Sequence, residues 1–273
     1  MAVSFSISEL REIAERLSSE LDMPFQHMTH SFLKRRLSAY FDSCAIRKPD
    51  QLFEHLQDDQ SLDAFKRFFT VNTTELFRDA SFWRQLRKIM REKYSSQALH
   101  IWFPEVSTGE ELYSLLILMD ELGLMDSAQI TVNHSSQAAL DTLKEGLLSN
   151  KKNDVNAYNY KRFEGEYTLD KYFEERDGAR YLNKALLRSV TFVQAGLNNV
   201  PAAKCNIVIL RNSLIYYTRD YHLLLRDIID GVLTRGGYLC LGVKEQLPAP
   251  FDTRFECIDS KEKIYSKYSF LKD

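Results

Sequence analysis

The sequence predicts an α/β protein in which a mostly parallel β-sheet follows an all-helical N-terminal unit. Two observations support this prediction. The first 72 residues carry apolar side chains at helical spacing, and the rest of the chain alternates short apolar runs with helical segments. A chain of 273 residues that is 44% apolar is large enough to bury one large core and a smaller one. We therefore expect a helical domain at 1–72 and an α/β domain at 73–273.

Helical segments are predicted throughout the N-terminal unit. The first begins at Ser6, which has capping-box spacing to Glu9, and Pro24 marks the end of its apolar pattern. The second begins at Ser31. Further helical segments are predicted at 49–57 and 61–69, and a helical segment rich in Arg and Lys follows the unit at 81–93.

The remaining chain predicts a sheet covered by helices. Its strand candidates are ALHIWF, AQITVN, SVTFVQ, CNIVIL, GYLCLGV, RFECI and KIYSKY. Helices are predicted between several of them, at 109–122, 135–147 and 218–233. Such alternation indicates parallel strands with helices on both faces. The last two strand candidates have no helix between them and should end the sheet as a hairpin.

An aromatic-rich stretch separates the second and third strand candidates. Charged residues alternate there with Tyr158, Tyr160, Phe163, Tyr167, Tyr172, Phe173 and Tyr181. A crossover helix does not need so many aromatic side chains, so we predict a small inserted β-subdomain at about 155–188. Inserts and loops often carry recognition. The alternative is a decorated loop whose aromatic side chains pack on the protein's own core.

Composition and charge exclude several functions. The net charge of -2 gives no general attraction to nucleic acid or to anionic membranes. No signal peptide and no apolar run long enough to span a membrane is visible, which predicts a cytoplasmic protein. The cysteines form no CxxC pair, and the spacing of His27 and His30 lacks a metal-site glutamate. We therefore expect no metal site and reduced thiols.

Four segments together resemble one protein family, in order and in spacing. They are TVNTTELFRD at 70–79, IWFPEVSTGEELYS at 101–114, CNIVILRNSLIYYT at 205–218 and VLTRGGYLCLGVKEQL at 232–247. The family is that of the CheR-type chemotaxis receptor methyltransferases, which are protein-glutamate O-methyltransferases. The resemblance covers essentially the whole chain, including the LKRRL segment at 33–37.

The resemblance implies a fold, a cofactor and a partner. The fold is a class I (Rossmann-like) S-adenosylmethionine methyltransferase sheet with a small inserted β-subdomain, behind an all-α N-terminal domain. The cofactor is S-adenosylmethionine, with S-adenosylhomocysteine as product. The partner is a chemoreceptor, bound through its cytoplasmic helices or its C-terminal tail, and a monomer is expected. In the family the basic cluster Lys34, Arg35 and Arg36 meets an acidic receptor bundle, although it is equally consistent with a solvated helix face.

The resemblance also assigns site residues. Arg78 and Tyr216 fall at catalytic positions near the methyl group and the incoming glutamate. The cofactor-binding positions that match the family pattern are Asn72, Thr74, Arg78, Glu110, Leu197, Arg211 and Asn212. Arg78 would bind a carboxylate and Glu110 the cofactor's ammonium group. An acidic residue at the start of a helix is also favoured by the helix dipole alone.

Other cofactor positions depart from the family pattern. Pro104, Glu105 and Val106 replace a small Ala/Gly-rich turn, His134 replaces the acid that accepts both ribose hydroxyls, and Gly196 replaces an asparagine beside the adenine. A neutral imidazole accepts one hydrogen bond at most. Each lost partner costs about 1–3 kcal/mol when the group left behind is buried. His134 is therefore either a substitute ribose ligand or a surface histidine.

Three hypotheses follow from this pattern. The first is an active receptor glutamate methyltransferase with an altered adenosine pocket. The second is a non-catalytic interaction module that binds the cofactor weakly or not at all. The third is a methyltransferase for another substrate. An exposed strand edge in the insert would, on the family's pattern, accept a receptor tail as an added strand.

Overall fold

Four helices at the N-terminus form the predicted helical unit. The computed structural model describes residues 5–21, 23–70, 74–95, 97–248 and 253–269. The first helix begins with the predicted capping box: the Ser6 hydroxyl accepts the Glu9 N–H at 3.2 Å, and the Glu9 carboxylate accepts the Ser6 N–H at 2.8 Å. The helices are α1 (Ile7–Glu20), α2 (His30–Ser43), α3 (Pro49–His55) and α4 (Asp59–Phe69).

A mixed seven-stranded sheet follows, reached through helix α5 (Ala80–Lys93). Its elements in chain order are β1 (Leu99–Phe103), α6 (Glu110–Glu121), β2 (Ala128–His134) and α7 (Gln137–Glu145), then, after an insertion, the rest of the sheet. The insertion contains β3 (Leu147–Leu148), α8 (Asn153–Phe163), β4 (Phe173–Arg176) and β5 (Ala179–Leu182). The sheet continues with β6 (Val190–Gln194), β7 (Cys205–Leu210), α9 (Arg219–Val232), β8 (Leu233–Leu241), β9 (Phe255–Asp259) and β10 (Ile264–Lys267).

The order of the strands fixes where a ligand can bind. The sheet has the order β6-β2-β1-β7-β8-β10-β9; the first five strands are parallel, and β10 and β9 form the predicted terminal hairpin. From β1 the chain proceeds outward through β2 to β6, and it then returns to β7 on the other side of β1. The order therefore reverses between β1 and β7. In open α/β sheets, ligands bind at the carboxyl ends of the strands beside such a reversal.

The predicted inserted β-subdomain is a three-stranded antiparallel sheet with the order β3-β5-β4. It begins earlier than the predicted bounds of about 155–188, because β3 lies directly after α7. The first part of the predicted insert is helix α8. Strand β4 pairs with β5 alone, so its other edge is open within the described residues.

Several aromatic side chains of the insert are buried rather than displayed. Tyr160, Phe163 and Tyr172 belong to the main hydrophobic core. The hydroxyls of Tyr160 and Tyr172 both donate to the buried carboxylate of Glu121 at the end of α6, at 2.7 and 3.3 Å. These three buried residues therefore fit the alternative, in which the aromatic side chains pack on the protein's own core. The prediction that the insert contacts a partner can apply only to its exposed aromatic side chains. Tyr158 and Tyr167 do remain exposed.

The two faces of the sheet are covered by different helices. Successive residues of β1 point to opposite faces, so Ile101 and Phe103 join a core formed with α5, α6 and the insert, whereas Trp102 joins the other core. That second core contains α9 and the apolar side chains of all four N-terminal helices. The helical unit therefore shares its core with the sheet.

One carboxylate joins the helical unit to the strand ends. Asp63 of α4 accepts hydrogen bonds from the Ser136 hydroxyl at 2.7 Å and from the backbone N–H groups of Gln137 at 2.6 Å and Ala138 at 3.2 Å. Ser136 is itself the N-cap of α7 and accepts the Ala139 N–H. Asp63 therefore satisfies N–H groups that the helix leaves unpaired, and its negative charge lies at the positive end of the helix dipole.

In the described ranges, no helix is both long enough and apolar enough to cross a bilayer.

Replacing Asp63 with Ala should destabilise the protein by about 2 kcal/mol, because a charged acceptor is lost while the N–H groups of α7 stay partly buried. Chemical denaturation followed by circular dichroism measures this free energy. Glu12→Gln, which changes an exposed carboxylate on α1, serves as the control. Equal unfolding free energies for the two variants would contradict the role given to Asp63.

Candidate active site

The turn after β1 approaches the strand-order reversal from one side. The Val106 N–H donates to the Asn133 carbonyl at 3.2 Å, which ties the turn to the end of β2. Gly109, the N-cap of α6, has φ +99, and a Cβ there would lie 2.6 Å from the Leu143 side chain. This position therefore requires glycine. The Pro-Glu-Val segment, tied to β2 through Val106, is thus a defined turn between β1 and α6.

On the other side of the reversal, Arg211 follows β7 and is held by carboxylates. Its guanidinium donates to Glu111 at 2.8 Å and to Asp79 at 2.7 Å, and it lies 3.9 Å over the ring of Phe82. The side chain is 1% exposed. Its charge is therefore already balanced by the protein. The predicted direct contact of Arg211 with a cofactor stays a prediction, and its observed contacts position Glu111 and Asp79.

Asn212 is fixed by a residue that the sequence patterns did not reveal. Asn212 has φ +60, and its N–H donates to the buried carboxylate of Glu245 at 2.8 Å. The Gly242 N–H donates to the same oxygen at 2.7 Å. Glu245 lies within the quoted motif at 232–247, but its partner is 33 residues away in sequence and no local pattern indicates it.

Several predicted site residues surround a small cavity of about 30 Å³, which we call the Arg78 cavity. It is lined by Thr70, Thr74, Arg78, Glu105, Val106, Ser107, Glu111, Arg211, Asn212 and Ser213. Arg78 is half-buried, and its carbonyl accepts the indole N–H of Trp83 at 3.0 Å, which fixes the backbone there. Asn72, predicted to bind the cofactor beside Thr74, lies outside the described residues.

The positions that depart from the family pattern surround a second cavity of about 10 Å³, the Gly196 cavity. Its lining is Met23, Pro24, Thr70, Pro104, Glu105, Asn133, His134, Ser135, Ala195, Gly196, Leu197 and Tyr217. The Gly196 carbonyl accepts the side-chain amide of Asn133 at 3.3 Å. A cavity of this size holds about one water molecule. The predicted residues are thus brought together, but the space between them is narrow.

His134 is buried, which excludes the surface alternative. It is 2% exposed, and its Nδ1 accepts the Ser136 N–H at 2.9 Å. In the neutral ring the proton therefore lies on Nε2, which has no hydrogen-bond partner among the described residues. Burial lowers the pKa of His134 to about 4, so the ring is neutral near pH 7. Toward a ligand it offers a donor, whereas a carboxylate would offer acceptors.

A third and larger cavity of about 440 Å³, the Glu110 cavity, lies between α6, α7 and the small sheet. Glu110, Thr74 and His134 line it, and Leu143, Leu147 and Leu148 contribute apolar side chains to its lining. Glu110 accepts the Thr108 hydroxyl at 2.5 Å, and burial raises the pKa of its carboxyl group. Thr70 lines all three cavities, so they adjoin one another.

Tyr216 lies outside these three cavities. Its ring packs 4.5 Å from the ring of Phe32 on α2, and its carbonyl accepts the Thr29 N–H at 2.8 Å. The neighbouring Tyr217 is buried and lines the Gly196 cavity. The predicted catalytic role of Tyr216 stays a prediction, and its observed contacts are with the N-terminal helices.

The sequence matches one family model and several named relatives. Residues 72–264 match the family model described as CheR methyltransferase, SAM binding domain. A putative methyltransferase Cher3 of Pseudomonas putida is 24% identical over 265 residues, covering 95% of this chain and 96% of the relative. The chemotaxis protein methyltransferase 1 of Pseudomonas aeruginosa is 29% identical over 228 residues, covering 78% and 80%. That of Vibrio cholerae is 25% identical over 270 residues, covering 94% and 95%.

The chain also aligns with solved methyltransferase structures. A putative S-adenosyl-L-methionine-dependent methyltransferase from Methanococcus maripaludis aligns with a TM-score of 0.39 at 12% identity, covering 71% of this chain and 87% of that one. The N-methyltransferase NodS from Bradyrhizobium japonicum, in complex with S-adenosyl-L-homocysteine, aligns with a TM-score of 0.32 at 11% identity, covering 70% of each chain.

The burial of His134 predicts a pH dependence of stability. Its pKa of about 4 in the folded protein is below the ordinary histidine value of 6.5, so the unfolded chain binds more protons between these values. The stability contributed by the neutral ring is present above pH 6.5 and is lost as the pH falls toward 4, by up to about 3 kcal/mol. Asp63, which favours the protonated ring, and Arg67, which opposes it, are the nearby charges.

Denaturation of the wild-type protein and of His134→Gln between pH 4 and pH 7.5 tests this expectation. The difference in unfolding free energy between the two proteins should shift in favour of the variant as the pH falls. His30→Gln, at an exposed position on α2, is the control and should follow the wild type. A pH-independent difference between wild type and His134→Gln would contradict a neutral buried imidazole.

Proposed function

Since the chain belongs to the CheR methyltransferase family, we propose that it transfers a methyl group from S-adenosylmethionine to glutamate side chains of chemoreceptors. The matched domain of the family binds S-adenosylmethionine. The observation that carries the proposal is the convergence of Thr74, Arg78 and Asn212 on one cavity beside the reversal between β1 and β7. Ligands of open α/β sheets bind at this place.

The residues present fit the polar groups of the cofactor. Arg78 can bind its carboxylate, and the buried carboxyl group of Glu110 can bind its ammonium. The unpartnered Nε2 of His134 is a donor for an oxygen or nitrogen acceptor of the nucleoside. The Arg78 and Gly196 cavities are narrow, but both adjoin the Glu110 cavity, whose 440 Å³ is in the range of small-molecule sites.

Methyl transfer to a carboxylate requires mainly that the protein align the carboxylate oxygen with the methyl group. Bound S-adenosylmethionine supplies an electrophilic methyl group, which a glutamate oxygen takes to form a methyl ester while S-adenosylhomocysteine leaves. A carboxylate is ionised near neutral pH, so no general base is required. The contribution of Arg78 is to orient a carboxylate through charge-assisted hydrogen bonds. The N-terminal helices pack on one face of the sheet, and Thr70 at the end of α4 lines the three cavities.

The acceptor protein would approach over the basic cluster of α2. Lys34 and Arg35 are exposed, whereas Arg36 is half-buried, lies 4.3 Å over the Phe68 ring and donates to the Thr70 carbonyl at 3.1 Å. The cluster is next to Phe32, which contacts Tyr216. An acidic helical surface would be attracted to this side of the protein. The alternative that the cluster is a solvated helix face does not apply to Arg36, because its guanidinium donates to the Thr70 carbonyl inside the protein.

The open edge of β4 offers a second contact for a receptor tail. An extended segment can add to such an edge through backbone hydrogen bonds. Deleting the insert is a poor test, because Phe163 and Tyr172 are part of the main core. Proline placed in turn at Glu174 and Glu175 is sharper, since only one of two successive residues points its N–H away from β5. Unchanged tail binding by both folded variants would contradict strand addition.

Arg78→Ala should abolish both binding of S-adenosylhomocysteine and methyl transfer, because the carboxylate loses its charge-assisted partner. Calorimetry measures the binding, and incorporation of labelled methyl groups into receptor measures the transfer. Lys88→Ala, an exposed basic residue on α5, should bind and transfer normally. If the folded wild-type protein binds neither S-adenosylmethionine nor S-adenosylhomocysteine, the result would instead favour the hypothesis of a non-catalytic interaction module.

Charge reversal at Lys34 and Arg35 should raise the KM for receptor roughly tenfold and leave kcat and cofactor affinity unchanged, because these exposed side chains line none of the three cavities. The effect should shrink as salt is added. Steady-state methylation with varied receptor concentration provides the measurement. Reversal at Glu12 and Glu15, exposed acidic residues on α1, is the control. An unchanged KM at low salt would exclude this face.

A further inference from the structure

The segment that carries Thr74 and Arg78 has an unusual backbone. Phe77, a bulky buried residue, has φ +51, and Asp79 has φ +58, so both lie in the left-handed region that residues other than glycine rarely adopt. Such a conformation costs free energy and persists only where the surrounding contacts hold it. Because Arg78 lies between these two residues, the direction of its side chain depends on the contacts that hold the segment.

Helix α8 of the insert supplies several of these contacts from one of its faces. Asn156 is 1% exposed, and its Oδ1 accepts the Leu76 N–H at 2.9 Å. The side-chain amide of Asn159 donates to the Leu76 carbonyl at 3.1 Å. The Nζ of Lys152, the N-cap of α8, donates to the Thr74 carbonyl at 3.2 Å. Successive members of the set 152, 156 and 159 are four and three positions apart, which places them on the same side of the helix.

Further contacts hold the same segment between α8 and α6. The Phe77 N–H donates to the Ser114 hydroxyl at 2.8 Å, and this hydroxyl donates to the Glu110 carbonyl at 2.6 Å. The Phe77 ring stacks on Phe163 of α8 at 4.3 Å. Thr74 and Glu110 both line the Glu110 cavity. The insert is therefore joined by hydrogen bonds to the backbone that carries residues of the candidate site.

We propose that Asn156 and Asn159 of the insert are positioning residues, which hold segment 74–78 in the conformation that binds S-adenosylmethionine. The inference rests on the proposed function and gives the insert a part in cofactor binding, besides its contact with a receptor tail. Asn156 has the larger effect, because without its Oδ1 the buried Leu76 N–H loses its acceptor. The segment then relaxes from its left-handed backbone, and the Arg78 guanidinium no longer meets the cofactor carboxylate in a bidentate geometry.

Calorimetric titration with S-adenosylhomocysteine tests the proposal on proteins shown by circular dichroism to be folded. Asn156→Ala should bind this ligand about tenfold more weakly than the wild type does. Asn156→Asp keeps an acceptor oxygen for the Leu76 N–H, so it should restore the affinity to within about threefold of the wild type. Asn159→Ala, which removes a donor to the carbonyl of the same residue, should weaken binding by about threefold.

Tyr172→Phe is the matched control for a loss of stability. It removes a hydrogen bond of 3.3 Å that also joins the insert to the main domain, but the acceptor is Glu121 on α6 and not segment 74–78. This variant should unfold more easily than the wild type and bind S-adenosylhomocysteine with unchanged affinity.

A double-mutant cycle shows whether Asn156 acts through Arg78. Arg78→Lys keeps a cation on a flexible stem, which does not need the placement that a guanidinium fork needs. Added to Arg78→Lys, the substitution Asn156→Ala should therefore weaken binding by less than about threefold.

The outcomes separate the inference from the proposed function. Wild-type affinity in folded Asn156→Ala, or an equal loss of affinity in Tyr172→Phe, would overturn the inference and leave the proposed function standing. A full tenfold further loss in the Arg78→Lys protein would overturn it as well. If Asn156→Ala does not fold, unchanged binding by Asn159→Ala overturns the inference. Failure of the folded wild type to bind S-adenosylhomocysteine at millimolar concentration would overturn the proposed function and the inference together.

Discussion

The contact between Asp63 and the start of α7 determines how the two parts of the molecule meet. The carboxylate of Asp63 belongs to a helix of the N-terminal unit, and its three donors are the N-cap of α7 and the first two residues of that helix. Because α4 is held there, Thr70 at its end comes to line all three cavities. The hydrogen bond from Arg36 to the Thr70 carbonyl fixes the same point from α2. Residues of the N-terminal helices therefore form part of the lining of the site.

Several charged groups of the site form ion pairs or hydrogen bonds within the protein. Arg211 pairs with two carboxylates through its two terminal nitrogens, and its Nε–H has no hydrogen-bond partner among the described residues. The carboxylate of Glu245 accepts hydrogen bonds from the backbone N–H groups of Asn212 and Gly242. Arg78, Glu105, Glu110 and the Nε2 donor of His134 are among the other polar groups that line the cavities.

The sequence predicted the helices and strands well, because their signals are local: capping at Ser6, helical periodicity, and apolar runs bounded by polar turns. Of the residues that the motifs predicted for the site, Thr74, Arg78, Arg211 and Asn212 line one cavity, whereas Tyr216 lies outside the three cavities. The sequence did not predict the contacts of Asp63, whose partners lie 73 to 75 residues away, or the contact of Glu245 with Asn212, which lies 33 residues away. The aromatic insert was only partly predicted, because composition does not tell buried rings from exposed ones.

The way in which the insert joins the core limits how this protein can exchange modules with its relatives. Tyr160 and Tyr172 donate to Glu121, and Phe163 stacks on Phe77 at 4.3 Å, so the insert's inner residues belong to the main domain. A chimera that grafted a foreign insert at its sequence boundaries would lose these contacts and leave the carboxylate of Glu121 short of donors. Recombination is therefore constrained to the outer surface, where exposed Tyr158 and Tyr167 can vary without cost to the core.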